Sequence, residues 1–226
     1  MIDEQAVLSR REVHQVLTRL ALGRGWHVRQ NEVIFRLTIT AGLRASEIAG
    51  LNLGDLHLTG RRPYIHVRNE IAKKGHGGKI PIGQIDGDTV DVLIAWDTYR
   101  RVTMGAGDDD PVVCTLTAQQ GGTRTFGGTR SRPGKRLTRQ QIAQKWKVCV
   151  KCLGAERAKE LHTHSGRHTF VTYLTKMRDE RGNPMPLAWV QRVARHSSLT
   201  TTGQYMHVCP EDMERRGKLY GADPED

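Results

Sequence analysis

The chain is poor in cysteine, in aromatic residues and in long apolar runs, and each shortage excludes something. Four cysteines (Cys114, Cys149, Cys152, Cys209) among 226 residues are too few to staple a scaffold of this size, which fits a reducing, intracellular setting. Aromatics amount to 5%, so a stacking platform for single-stranded nucleic acid is poorly supported. No run approaches the roughly 18 apolar residues of a membrane-spanning helix. Residues 1–20 mix charged and apolar positions and lack the apolar core of a signal peptide. Carboxylates are locally missing too: no Asp or Glu lies between Pro111 and Ala155, a stretch holding nine Lys or Arg.

What is present is positive charge. Lys and Arg total 35 against 24 Asp and Glu, a formal net charge of +11, and the carboxylate-free stretch supplies most of that excess. A polyanion is the natural partner of such a segment, and with so few aromatics the backbone of duplex DNA fits best. The segment's cations Arg124, Arg130, Arg132, Lys135, Arg136 and Arg139 are the candidate DNA contacts. From Pro210 to Asp226 the balance reverses, with six acidic and three basic residues. Hydrophobic residues make up 37%, ample for a core, and no linker divides the chain.

The apolar spacing predicts an α+β fold, mainly α-helical with a small three-stranded antiparallel sheet. Ser9 caps a helix over Arg10–Leu22, with Val13, Val16, Leu17 and Leu20 on one face. Helices follow over Asn31–Thr40, where Gly42 marks the stop, and over Ser46–Leu51. Strand-like pieces lie at Leu53–Leu58, Tyr64–Arg68 and Lys79–Ile82, the last two joined by the glycine-rich turn after Lys73 and Lys74. Further helices are expected at Asp88–Arg101, Arg139–Leu153, Gly166–Met177, Leu187–Ala194 and Thr201–Met206, with a strand at Val112–Leu116. Gln119–Pro133 reads as a basic loop that orders on DNA.

Five of the ten histidines fall in the last third of the chain, in two conspicuous stretches. One runs from His164 through Arg167 and His168 to Phe170. The other runs from His196-Ser197-Ser198 through Thr201-Thr202 and Tyr205 to His207. Upstream lies Gly42-Leu43-Arg44-Ala45-Ser46-Glu47. In this order the three boxes resemble the catalytic domain of the tyrosine recombinases, the lambda-integrase-like family, and the likeness extends from about Leu8 to His207.

The resemblance implies a site-specific recombinase that cleaves and rejoins DNA through a 3′-phosphotyrosyl link, with Tyr205 as nucleophile and neither metal nor ATP nor other cofactor. Arg44 and Arg167 would clamp the scissile phosphate, for which planar guanidinium forks are suited, and His196 would donate a further hydrogen bond. His164 would take the phenolic proton, since a phenol with pKa near 10 must lose it during attack. The leaving 5′-oxygen needs a proton from a hairpin lysine; Lys74 fits the Lys-Gly pattern better than Lys73, and Lys79 is a third candidate. Glu47, His168 and His207 would support these groups without performing the chemistry. Tyr64, Tyr99, Tyr173 and Tyr220 lack matching context and read as packing or surface residues. Cys149-x-x-Cys152 with His162 and His164 faintly suggests zinc, but the cysteines sit on a helix facing the core, so no metal site is assigned.

Two departures stand out. Gly166 takes the place of the family's leucine, which predicts looser packing under Arg167, and Arg195 takes the place of the glycine before His196, which predicts a cation beside the DNA. Residues 1–207 read as the catalytic domain without the family's preceding DNA-clamping domain. Residues 208–226 read as a tail that either docks on a neighbouring protomer or is a disordered end. The family further implies double-stranded DNA as partner, a homotetramer on paired sites, accessory DNA-bending proteins, no membrane, and a cytoplasmic, nucleoid-associated location. A type IB topoisomerase and a DNA-binding regulator without catalysis are the alternatives.

Overall fold

The computed structural model describes residues 6–82, 86–116, 134–179 and 181–195. Helix α1 (Arg10–Ala21) begins where its cap requires. Ser9 Oγ accepts from the Glu12 N–H at 3.2 Å while Glu12 Oε2 accepts from the Ser9 N–H at 2.7 Å, a reciprocal capping box. Its apolar face buries Val16 and Leu20 against α2 (Trp26–Ile39).

α2 is the axle of the fold. Val33, Ile34, Phe35 and Leu37 are fully buried, and every residue from Glu32 to Ile39 is buried, so the helix is surrounded on all sides. It packs on α1, α3 (Ala45–Gly50), α4 (Gly87–Thr98), α5 (Arg139–Val150) and α7 (Thr163–Lys176). Its polar residues are enclosed with it: Glu32 holds Arg36 at 3.0 Å, and Arg36 reaches Asp86 at 2.8 Å. The helix starts five residues before the expected Asn31, because its N-cap is Gly25 at φ 92° with no side-chain hydrogen bond to betray it.

Strands β1 (Leu56–His57), β2 (Tyr64–Val67) and β3 (Gly78–Pro81) form one antiparallel sheet in sequence order. The register pairs Leu56 with Ile65, and Ile65 with Ile80, so the apolar residues share the inner face. Leu53–Asp55, expected as strand, is instead a 3-10 turn. The expected strand at Val112–Leu116 is reduced to isolated bridges, Asn52 to Pro111 and Cys114 to Arg136. Its valines are buried in the core all the same, so apolar content alone misled the assignment. Beyond α5 comes a short helix without apolar periodicity, α6 (Ala155–Glu160), which buries only Ala158 and was missed for that reason. α8 (Leu187–Ala194) packs Val190, Val193 and Ala194 against Phe170, Val171 and Leu174 of α7 in a second, smaller core. Among the described residues no helix is long and apolar enough to cross a membrane.

The expected looseness under Arg167 is not found. A Cβ on Gly166 would collide with the Thr38 side chain, whose Oγ1 accepts from Trp146 Nε1 at 2.8 Å. Glycine here lets α7 lie directly on α2. Gly166→Ala should therefore destabilise by about 1–3 kcal/mol, the usual cost of overpacking, measured as a lower denaturant midpoint at unchanged slope.

Candidate active site

Two stretches far apart in sequence meet at one buried carboxylate, and a third is tied to both through backbone carbonyls. Glu47 lies in the first turn of α3 and its side chain is 0% exposed. Its Oε2 accepts the Arg44 backbone N–H at 2.8 Å, and its Oε1 accepts Arg44 Nη1 at 2.9 Å. From the end of α8, Arg195 brings Nη1 to Oε1 at 3.1 Å and Nη2 to Oε2 at 2.8 Å. Burial alone would raise the Glu47 pKa, but the hydrogen bonds and charge of Arg195, ahead of those of Arg44, hold it below the usual carboxylate value.

Arg167, on α7, ties the same pieces through the backbone. Its Nη1 donates to the Gly42 carbonyl at 2.6 Å and its Nη2 to the Ala194 carbonyl at 2.5 Å. Gly42 must be glycine: its φ is +60°, and a Cβ there would strike the Phe170 ring. α3 is anchored at its other end as well. Arg68 Nη2 donates to the Gly50 carbonyl at 2.8 Å, and Arg136 Nη1 donates to the carbonyls of Ala49 and Leu51 at 2.8 and 3.0 Å. Cations on orphan carbonyls suit a helix C-terminus, so Arg136, read in sequence as a DNA contact, has its guanidinium engaged on α3. Lys135 and Arg139 are exposed.

His164 stands in the first turn of α7, its ring 6.0 Å from that of His162. Partial burial, followed by the positive charges of His162, Arg44, Arg167 and Lys73, pushes its pKa below the ordinary histidine value. His168 is lowered likewise, first by burial and then by its histidine neighbours and Arg167. An imidazole held neutral among cations is equipped to accept a proton. His164 should therefore titrate below about 6.5, which NMR can follow. Between the two pKa values the unfolded chain binds more protons than the folded one, so this group's contribution to stability rises with pH there and is lost as pH falls through the folded value.

The hairpin lysines are both exposed, in the turn between β2 and β3. Lys74 sits at φ 59°, in the left-handed region, while Lys73 is the one whose charge acts on His164. Lys79 lies over the Tyr64 ring at 4.7 Å. An open depression of about 520 Å³ separates this turn from α8, with His76, Gln191, Arg192 and Arg195 among its lining residues. The Cys149 thiol is buried, its pKa pushed up to about 12, and Cys152 Sγ donates to the Cys149 carbonyl at 3.4 Å; both serve packing. Tyr99 stacks on Trp26, and Tyr173 donates its hydroxyl to the Leu8 carbonyl at 2.9 Å. His196, Tyr205 and His207 lie outside the described residues, as do Arg124, Arg130 and Arg132.

Arg195 is the residue that sequence reasoning placed differently. Expected beside DNA, its side chain is 4% exposed and turned onto Glu47. It closes α8 at φ 53°, ψ 47°, a conformation that costs a non-glycine residue roughly 1–2 kcal/mol. The sequence signal was its place where glycine is usual.

Guanidiniums hydrogen-bonded round a buried carboxylate, with an imidazole nearby that feels the charges of Arg44, Arg167 and Lys73, form a cationic cluster suited to holding a phosphate group. The sequence pattern of the phage integrase family matches residues 7–212, and the chain belongs to that family. It is 28% identical to the tyrosine recombinase XerC of Actinobacillus pleuropneumoniae serotype 7 (strain AP76) over 191 residues, 84% of this chain and 50% of that protein. It is 29% identical to the tyrosine recombinase XerD of Halalkalibacterium halodurans over 182 residues, 79% of this chain and 50% of that one. The chain thus spans about half the length of these curated relatives. Among solved structures, XerH site-specific recombinase bound to its difH substrate, in a pre-cleavage complex, superposes at TM-score 0.66 with 18% identity, covering 95% of this chain and 54% of that one. The Tn1549 transposon integrase in complex with transposon right end DNA superposes at 0.64 with 19% identity, covering 98% of this chain and 67% of that one. At such identities the likeness establishes the fold.

Proposed function

We propose that the chain is the catalytic unit of a site-specific tyrosine recombinase that cleaves and rejoins duplex DNA. The observation that carries this reading is the convergence of Arg44 and Arg195 on Glu47, with Arg167 spanning Gly42 and Ala194 beside them, which unites boxes more than a hundred residues apart. The family membership and the recombinases among the relatives support it.

In the proposed reaction, the Tyr205 phenolic oxygen attacks the scissile phosphorus and its proton passes to His164. The bond from phosphorus to the 5′-oxygen breaks, and that oxygen takes a proton from a hairpin lysine. The product is a 3′-phosphotyrosyl link and a free 5′-hydroxyl. Attack by a 5′-hydroxyl reverses the step, so the energy of the broken bond is retained in the link and ATP is not required. Charge developing on the non-bridging oxygens meets donors already fixed in place, which cost no reorganisation during reaction. Arg44 and Arg167 supply them, with His196 as a further donor. Lys74 of the hairpin turn supplies the proton to the 5′-oxygen, with its neighbour Lys73 as the alternative, while Lys79 is drawn to Tyr64. His168, His207 and Glu47 act as supports. Lys135 and Arg139, with Arg124, Arg130 and Arg132, contact the DNA backbone.

Pairing two duplexes calls for a homotetramer, in which residues 208–226 dock on a neighbouring protomer and DNA-bending proteins assist. Such an enzyme works in the cytoplasm at the nucleoid. The test is a nicked duplex of the target site, incubated with protein in excess EDTA and run on a denaturing gel. A covalent adduct that Tyr205→Phe abolishes supports the reading; DNA binding with no adduct on any substrate would favour a non-catalytic regulator.

A further inference from the structure

The charge at the centre of the site does not sum as a simple arginine–carboxylate pair would. Arg44 and Glu47 alone are neutral together: the carboxylate would hold the guanidinium on both oxygens and cancel the charge intended for phosphate. Arg195 changes that sum. It lays both terminal nitrogens on the two Glu47 oxygens, and Arg44 is left with a single side-chain hydrogen bond to Oε1. Among the described residues, Arg44 Nε and Nη2 donate to nothing, and its side chain remains 22% exposed. The set of three carries net +1, with the exposed member facing outward.

Arg195 holds this position against local preference. Its backbone is left-handed, its side chain is almost wholly buried, and its Nε has no partner among the described residues. A surface cation would bear none of these costs. In sequence it directly precedes His196, and its neighbour Ala194 accepts from Arg167.

We infer that Arg195 is a positioning residue that neutralises Glu47, thereby releasing the Arg44 charge and donors for the scissile phosphate and joining the end of α8 to the Arg44 box. This rests on the reading of Arg44 as a phosphate clamp. It also reassigns Arg195 from DNA contact to the interior of the site.

The experiment measures single-turnover cleavage of a nicked duplex together with thermal melting. Arg195→Gly removes the charge and relieves the backbone, and should lower the cleavage rate roughly 10–100-fold, as loss of an outer supporting partner does, while melting stays cooperative. Adding Glu47→Gln removes the carboxylate's charge, so the double variant should cleave faster than Arg195→Gly. A double variant as slow as the single, or slower, would contradict charge neutralisation, and so would Arg195→Gly cleaving at the wild-type rate. Should Arg195→Gly fail to melt cooperatively, Arg195→Lys decides: it keeps the charge, and its loss should stay below about tenfold, whereas a folded Arg195→Lys that no longer cleaves would overturn the inference. If the wild-type protein itself forms no adduct, the recombinase reading fails, a result distinct from any of these.

Discussion

Glu47→Ala should be the most destabilising single substitution at the site, lowering the unfolding free energy by about 3–5 kcal/mol, as expected when one partner of a buried ion pair is removed. Glu47 is wholly enclosed and Arg195 nearly so. The carboxylate's loss strands a buried guanidinium whose Nε already lacks a partner among the described residues. It also removes the acceptor of the Arg44 N–H that starts α3. Glu47→Gln keeps an acceptor and should cost less. Chemical denaturation measures both, and a loss under about 1 kcal/mol for Glu47→Ala would mean that the carboxylate is far better solvated than it appears.

Among substitutions in the described residues, Arg167→Ala should have the largest effect on catalysis. Removing a single fixed donor from a developing anion typically lowers the rate 10²–10³-fold, and Arg167 also spans Gly42 and Ala194. The loop leading to Arg44 and the end of α8 would lose their common tie, so the cleavage rate should fall at least that far. Arg167→Lys restores the charge, but an ammonium lacks the planar fork that reaches two diverging carbonyls, so it should recover little of the rate. A Lys variant close to wild type would show that charge alone matters at this position. Single-turnover cleavage at saturating enzyme separates this from weakened DNA binding.

Much of this was legible in the sequence, for identifiable reasons. The start of α1 and both ends of α8 lie where expected, because Ser9 with Glu12 and the Leu187–Ala194 periodicity are local signals, and α1 ends one residue before the expected Leu22. The sheet was legible because its three strands follow one another through short turns. What escaped was set by tertiary contact. The start of α2 hides behind an uncapped Gly25. The residues at Val112–Leu116 bury without pairing into a ladder. α6 buries too little to show a period. Gly166 looked like a missing side chain and is a site of direct helix contact with Thr38.

The site divides the same way. Arg44, Glu47, His164 and Arg167 carry box patterns and come together in the structure. Arg136 and Arg195 were counted as surface charge because a sequence reports a cation's sign and not the direction of its side chain. Arg195 turns inward onto the carboxylate at the beginning of α3, while Arg136, though exposed, lays its guanidinium on the carbonyls at the end of that helix. Part of the positive charge that suggested DNA thus holds the candidate site in shape.

The most direct test of the account is the chemical identity of the protein–DNA link. After reaction with a nicked duplex, proteolysis and tandem mass spectrometry should find a nucleotide joined through its 3′-phosphate to Tyr205. A 5′-phosphate link, attachment to another residue, or an adduct that persists in Tyr205→Phe would contradict it.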